Sequence, residues 1–161
     1  SSETKKYLLA SKIEDMINTV VRQISFFEFE KLVHNERKNG ELSSDQICEF
    51  WMKTQSESLG PHIELTEGYK YFWTYIPHFI HTPFYVYAYA FGDCLVNVLI
   101  QLYDEGLPDF KNNYLELLKS GGSKHYSEVL KPFNVDLKNK DSWQKGLSMI
   151  SGLIDEFEKA I

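Results

Sequence analysis

The sequence predicts an all-α protein, a multi-helix bundle, on three observations. Apolar residues recur every three or four positions through most of the 161 residues, the period of helices with one buried face. Capping residues, glycines and prolines punctuate these runs where helices start and stop. The one stretch that alternates like a strand, "FYVYAYAF" (84–91), continues a helical stripe well past ordinary strand length.

The first stripe is Ile13, Ile17, Val20, Ile24 and Phe27, and it predicts a helix from about residue 7 to residue 38. In "NGELSSDQ", Gly40 ends that helix, and Ser43 with Gln46 three residues on forms a capping-box pattern that begins the next. That second helix carries Ile47, Phe50, Trp51 and Met52 and stops at "LGP", where Gly60 and Pro61 interrupt it. "TEGYKYFWTYIPH" predicts a third, aromatic helix ending at Pro77. From 83 to 105 the stripe Phe84, Ala88, Phe91, Leu95, Val98 and Leu102 predicts a long helix, with Thr82 as N-cap and Pro83 in the first turn. "LPDFKNNYLELLKSGG" gives a helix closed by Gly121 and Gly122, and "SKHYSEVLKPF" a shorter one ended by Pro132. Asp141 with Gln144 opens the last helix, through Leu147, Ile150, Ile154 and Phe157. With no internal repeat, residues 1–161 read as a single helical domain.

Composition excludes several classes. A net charge of −6, with acids and bases interspersed and no basic block, argues against nucleic acid as a partner. Two cysteines far apart, Cys48 and Cys94, form neither a disulfide framework nor a zinc ribbon, so a reducing, cytoplasmic setting is expected. "SSETKKYLLASKIED" turns charged too early for a secretory signal. Residues 71–92 carry no formal charge over roughly the length of a membrane span. Pro77, Pro83, two histidines and several tyrosine hydroxyls inside that stretch argue against one.

The chemistry concentrates in "HFIHTPFYVYAYAFGD" (78–93). On a helix starting at Pro83, Tyr85, Tyr89 and Gly92 share one flank and Tyr87 the other, with His78 and His81 leaning over the first turns. Two phenols and one or two imidazoles on one wall could hold a peptide and stabilise an oxyanion. The plainer reading is that such tyrosines pack their rings and satisfy their hydroxyls locally. His78-x-x-His81 supplies only two ligand-type residues, with no H-E-x-x-H, so no metal ligand is assigned. His34, His62 and His125 read as surface or capping histidines, Cys48 and Cys94 as small buried hydrophobes, and Arg22 with Gln23 as a surface or inter-helix pair.

In their order and spacing, "NTVVRQISFFEFEKLVH", "ESLG" and "YIPHFIHTPFYVYAYAFGDCLVN" resemble the C-terminal region of oligoendopeptidase F and its relatives, zinc metallopeptidases of the thimet oligopeptidase superfamily. The resemblance implies the C-terminal part of a larger, mostly helical, two-lobed enzyme whose channel admits short peptides. The family's zinc, held by an H-E-x-x-H helix and a further glutamate, is then expected upstream of this chain, with none bound here. Carried over residue by residue, His78 and Tyr89 are the catalytic candidates, hydrogen-bonding the developing oxyanion, and Tyr85 grips the substrate backbone. Relatives commonly have a shorter link and "YATG" where this chain has "HTP" and "YAFG"; that departure keeps Tyr87 as an alternative donor and His81 among the substrate-binding candidates. The partners implied are an oligopeptide substrate and the rest of the same protein, and homodimerisation through exposed aromatic surface is expected of such a piece. The competing class is a stand-alone helical module that binds a peptide or protein without catalysis.

Overall fold

A computed structural model describes residues 2–160 of the chain. Among them are eight α-helices and no strand: α1 (Ser2–Thr19), α2 (Val21–Glu36), α3 (Ser44–Leu59), α4 (His78–His81), α5 (Tyr87–Asp104), α6 (Phe110–Ser120), α7 (Tyr126–Val129) and α8 (Lys140–Ala160). The all-α expectation holds. No helix among the described residues is long and apolar enough to cross a membrane. The chain divides into two compact units, Glu14–Phe91 and the combination of Ser1–Ile13 with Gly92–Ile161.

The expected first helix is two helices meeting at Val20. The Thr19 hydroxyl donates to the Asp15 carbonyl at 2.7 Å, a back-bond that bends helices, although the amides of Val20 and Ile24 still donate across the joint. The bend also moves the buried face. Ile24, placed in the apolar stripe, is 42 % exposed, while Phe26 and Phe29 are buried. The junction to α3 follows expectation: Gly40 takes a φ of 145° after α2, and Ser43 and Gln46 exchange both bonds of a capping box. Gly60 closes α3 at a φ of 74°.

The third segment, expected as an α-helix, winds instead as a 3-10 helix, Glu67–Tyr75. In a 3-10 helix the side chains at i and i+3 eclipse. That geometry stacks Tyr69 on Phe72 and sets Tyr75 tilted against Phe72, each pair with ring centroids 5.4 Å apart. Trp51 lies at the centre of the Glu14–Phe91 core, with Phe26, Phe29 and Val86 buried beside it and Phe79 and Tyr69 packed against the cluster.

In the other unit, Val98, Leu99 and Leu102 of α5 are buried with Leu130 and Phe133. Leu130 and Phe133 belong to a tight turn, α7 followed by a 3-10 stretch Lys131–Phe133, so the short helix stops before Pro132 as expected. Gly146 of α8 faces the α5 backbone so closely that a Cβ there would sit 2.6 Å from the Cys94 carbonyl oxygen and 3.2 Å from Val98 Cγ2. Gly152, on the same helix, has nothing within 4 Å of that position. Gly146→Ala is therefore expected to lose about 1–3 kcal/mol of stability through overpacking. Gly152→Ala is expected to gain up to about 1 kcal/mol from helix propensity. Urea unfolding of the two variants checks the opposite signs; two shifts of the same sign would contradict the close approach.

Candidate functional site

His78, Tyr85 and Tyr89 meet around α4 and the turn that leads into α5. His78 is the first residue of α4, and its neighbour Phe79 packs on Phe26, Phe29 and Trp51. The aromatic core thus fixes where the imidazole stands. His78 Nε2 and the Tyr89 hydroxyl are 3.1 Å apart, a hydrogen bond whose direction follows the imidazole tautomer. The Tyr85 ring lies parallel to His78 at 6.3 Å between centroids and edge-on to Tyr89 at 5.7 Å. Tyr85 and Tyr89 are 51 % and 41 % exposed, so both phenols face solvent from this cluster.

The structure brings His78, Tyr85 and Tyr89 together. Tyr87 lies apart from them, its ring packed edge-on to Phe27 at 5.5 Å, and His81 is exposed at the end of α4. The grouping expected from helical phase is present, but the expected helix start is not. α5 begins at Tyr87 rather than at Pro83. Phe84 sits in the left-handed region at a φ of 59°, which no α-helix accepts and which costs a bulky residue about 1–3 kcal/mol. Gly92, on the flank shared by Tyr85 and Tyr89, has nothing within 4 Å of an added Cβ.

What holds Phe84 there comes from α2. Glu30 Oε1 accepts the Phe84 N–H at 2.9 Å, and Glu30 is only 2 % exposed. Among the described residues, its other oxygen, Oε2, is buried without a hydrogen-bond partner. Sequence reading passed over Glu30, although it stands four residues after Phe26 and three before Val33, on the apolar side of α2. A carboxylate on that side was the available signal.

Residues 1–149 match the sequence pattern of peptidase family M3. The chain belongs to that family. It is 32 % identical over 96 % of its length to the oligoendopeptidase F homolog of Borreliella burgdorferi and 30 % identical over 96 % to oligopeptidase PepF of Bacillus subtilis. It superposes on the crystal structure of oligoendopeptidase-F from Enterococcus faecium with a TM-score of 0.90, at 28 % identity and over 99 % of its length. The chain spans 26 % and 23 % of those two sequences and 31 % of that crystallised chain. The M3 resemblance implies zinc, but among the described residues no group of three or more histidine, cysteine, aspartate or glutamate side chains could hold a metal ion.

The electrostatics of Glu30 yield a signed expectation. Burial pushes its carboxyl above the ordinary value of 4.5, while the Phe84 N–H and positive charge on His34 and His78 pull it back. A carboxyl raised on folding binds more protons folded than unfolded. Its contribution to stability is therefore complete below the ordinary carboxylate value and is lost as pH rises through the folded one. Glu30→Gln removes this titration, and the difference in unfolding free energy, wild type minus variant, should fall as pH rises from the ordinary carboxylate value through the higher folded one. Urea titrations across that range measure it, and a difference that rises with pH would show that the carboxyl is instead stabilised in its charged form.

Proposed function

We propose that this chain is the substrate-facing C-terminal segment of a zinc-dependent oligoendopeptidase that hydrolyses short peptides, with His78 and Tyr89 serving the oxyanion and Tyr85 the substrate backbone. The observation that carries the reading is the His78–Tyr89 hydrogen bond with Tyr85 packed against both rings, in a chain of peptidase family M3. A tetrahedral intermediate needs donors aimed at the oxygen where charge develops. When His78 carries its proton on Nε2 and donates to the Tyr89 oxygen, the Tyr89 O–H is free to donate onward to that oxygen. The imidazole also polarises the phenol, since a hydroxyl that accepts a hydrogen bond donates more strongly.

Tyr85, held by ring contacts, presents a second hydroxyl one ring away, suited to a peptide carbonyl. His81 and Tyr87, both exposed, are assigned to substrate contact outside the cluster. The metal, which in this family polarises the scissile carbonyl and activates the attacking water, is placed in the remainder of the enzyme. This chain alone is accordingly expected to hydrolyse no peptide with or without added zinc. A cytoplasmic setting is supported by two buried, unpaired cysteines.

In the complete enzyme, Tyr89→Phe keeps the ring and removes the donor. It is expected to lower kcat about 10²–10³-fold with KM little changed, the pattern of an interaction made in the transition state. Steady-state kinetics on a fluorogenic oligopeptide test it, and an unchanged kcat would remove Tyr89 from the reaction.

A further inference from the structure

We infer that Glu30 is a positioning residue for this site: by accepting the Phe84 N–H it holds the left-handed turn that sets Tyr85 beside His78 and Tyr89. The inference rests on the oxyanion reading only for its effect on turnover.

Three observations converge on it. Phe84 adopts a φ of 59°, a conformation that a bulky residue keeps only when its surroundings impose it. Its N–H is committed to a carboxylate 54 residues away in sequence, so the turn is imposed from outside its own segment. Glu30 is buried with one oxygen unpaired, an arrangement that disfavours the folded state unless the other oxygen's bond is needed.

The turn then acts on both sides of Phe84. Its ring lies edge-on to Phe27 at 6.3 Å and 4.7 Å from His34, both on α2, which ties the turn to the helix that bears Glu30. On the far side, Tyr85 N–H donates to the Thr82 carbonyl, Val86 is fully buried and the chain enters α5. With Val86 buried in the core and Phe84 bonded to α2, the backbone between them is held where the Tyr85 ring lies parallel to His78. An ordinary right-handed φ at Phe84 would redirect the backbone at Tyr85 and carry its phenol out of the cluster.

The chemistry of the pair suggests its own test, because the acceptor can be kept or removed separately from the charge. Glu30→Gln retains an Oε1 acceptor for the Phe84 N–H, whereas Glu30→Met fills the space without one. In NMR spectra of this chain, ring-to-ring NOEs between His78 and Tyr85 and between Tyr85 and Tyr89 are expected to persist in Glu30→Gln. They should vanish in folded Glu30→Met. NOEs that persist in folded Glu30→Met overturn the inference, as does their loss in folded Glu30→Gln. Should the Met variant not fold, the Gln variant decides alone by the same criterion.

Turnover separates this inference from the function on which its consequence depends. In the complete enzyme, Glu30→Met should lower kcat by about tenfold to a hundredfold, with KM rising less, and Glu30→Gln should recover most of the rate. NOEs lost with kcat unchanged would leave Glu30 as the anchor of the turn and remove the placement of Tyr85 from catalysis. NOEs kept with kcat lost would show that Glu30 acts by some other route, and the inference would fail.

Discussion

The packing around Trp51 is the interaction on which the site depends. Its indole is fully buried, with Phe26 and Phe29 of α2 at 5.3 and 5.2 Å and Phe79 of α4 at 6.3 Å between ring centroids. Its Nε1–H donates to the Tyr69 carbonyl at 3.0 Å, so the 3-10 segment is tied to the same side chain. Three elements distant in sequence therefore share one reference point. A four-residue helix has too few internal hydrogen bonds to hold itself in water, and α4 gains its stability from Phe79 in this core. The position of His78 follows from that docking, one residue away.

A buried polar network extends the same framework. Tyr69 donates its hydroxyl proton to Gln55 Oε1, Gln55 Nε2 donates to the Ser25 hydroxyl, and Ser25 donates to the Arg22 carbonyl. Each of these bonds has a partner that burial demands, so α2, α3 and the 3-10 segment are fixed in register as well as in contact. Arg22 covers the outer side, its guanidinium over the rings of Phe26 and Phe72. Against this rigid background, Phe84 is where the fold departs from relaxed geometry, and it lies between the two site tyrosines and α2.

How much of this was legible in the sequence depends on how local its causes are. The Ser43 capping box and the Gly60 and Gly121 stops were legible because each is decided within a few residues. The α5 start was not, because its decisive bond reaches from Phe84 to Glu30. The 3-10 winding of Glu67–Tyr75 escaped for a related reason. An aromatic-rich segment fits either period, and the i, i+3 ring contacts that favour three residues per turn are seen only in space. For the site, the pairing of Tyr85 with Tyr89 and the company of His78 were anticipated, while Glu30 was hidden among the acids of "FFEFEK". The strand-like alternation of "FYVYAYAF" had a real cause after all. Val86 and Ala90 point inward and Tyr85, Tyr87 and Tyr89 outward, first from a turn and then from a helix.

The exposure of the phenols bears on how such a site would work. A hydrogen-bond donor stabilises a developing oxyanion far more in a dry, low-dielectric setting than beside bulk water, where solvent competes for both partners. The cluster stands beside the Trp51 core and the Phe84 turn that Glu30 bonds, yet Tyr85 and Tyr89 are 51 % and 41 % exposed in this chain. Under the proposed function, the two requirements of an oxyanion site, orientation and dryness, would be met separately. Orientation is built into the Glu14–Phe91 unit by packing that does not involve the phenols' outward faces. Under the proposed function, exclusion of water falls to the substrate and to the surfaces that close over it. Bringing those surfaces up would strengthen hydrogen bonds already aimed, without reordering the side chains that make them.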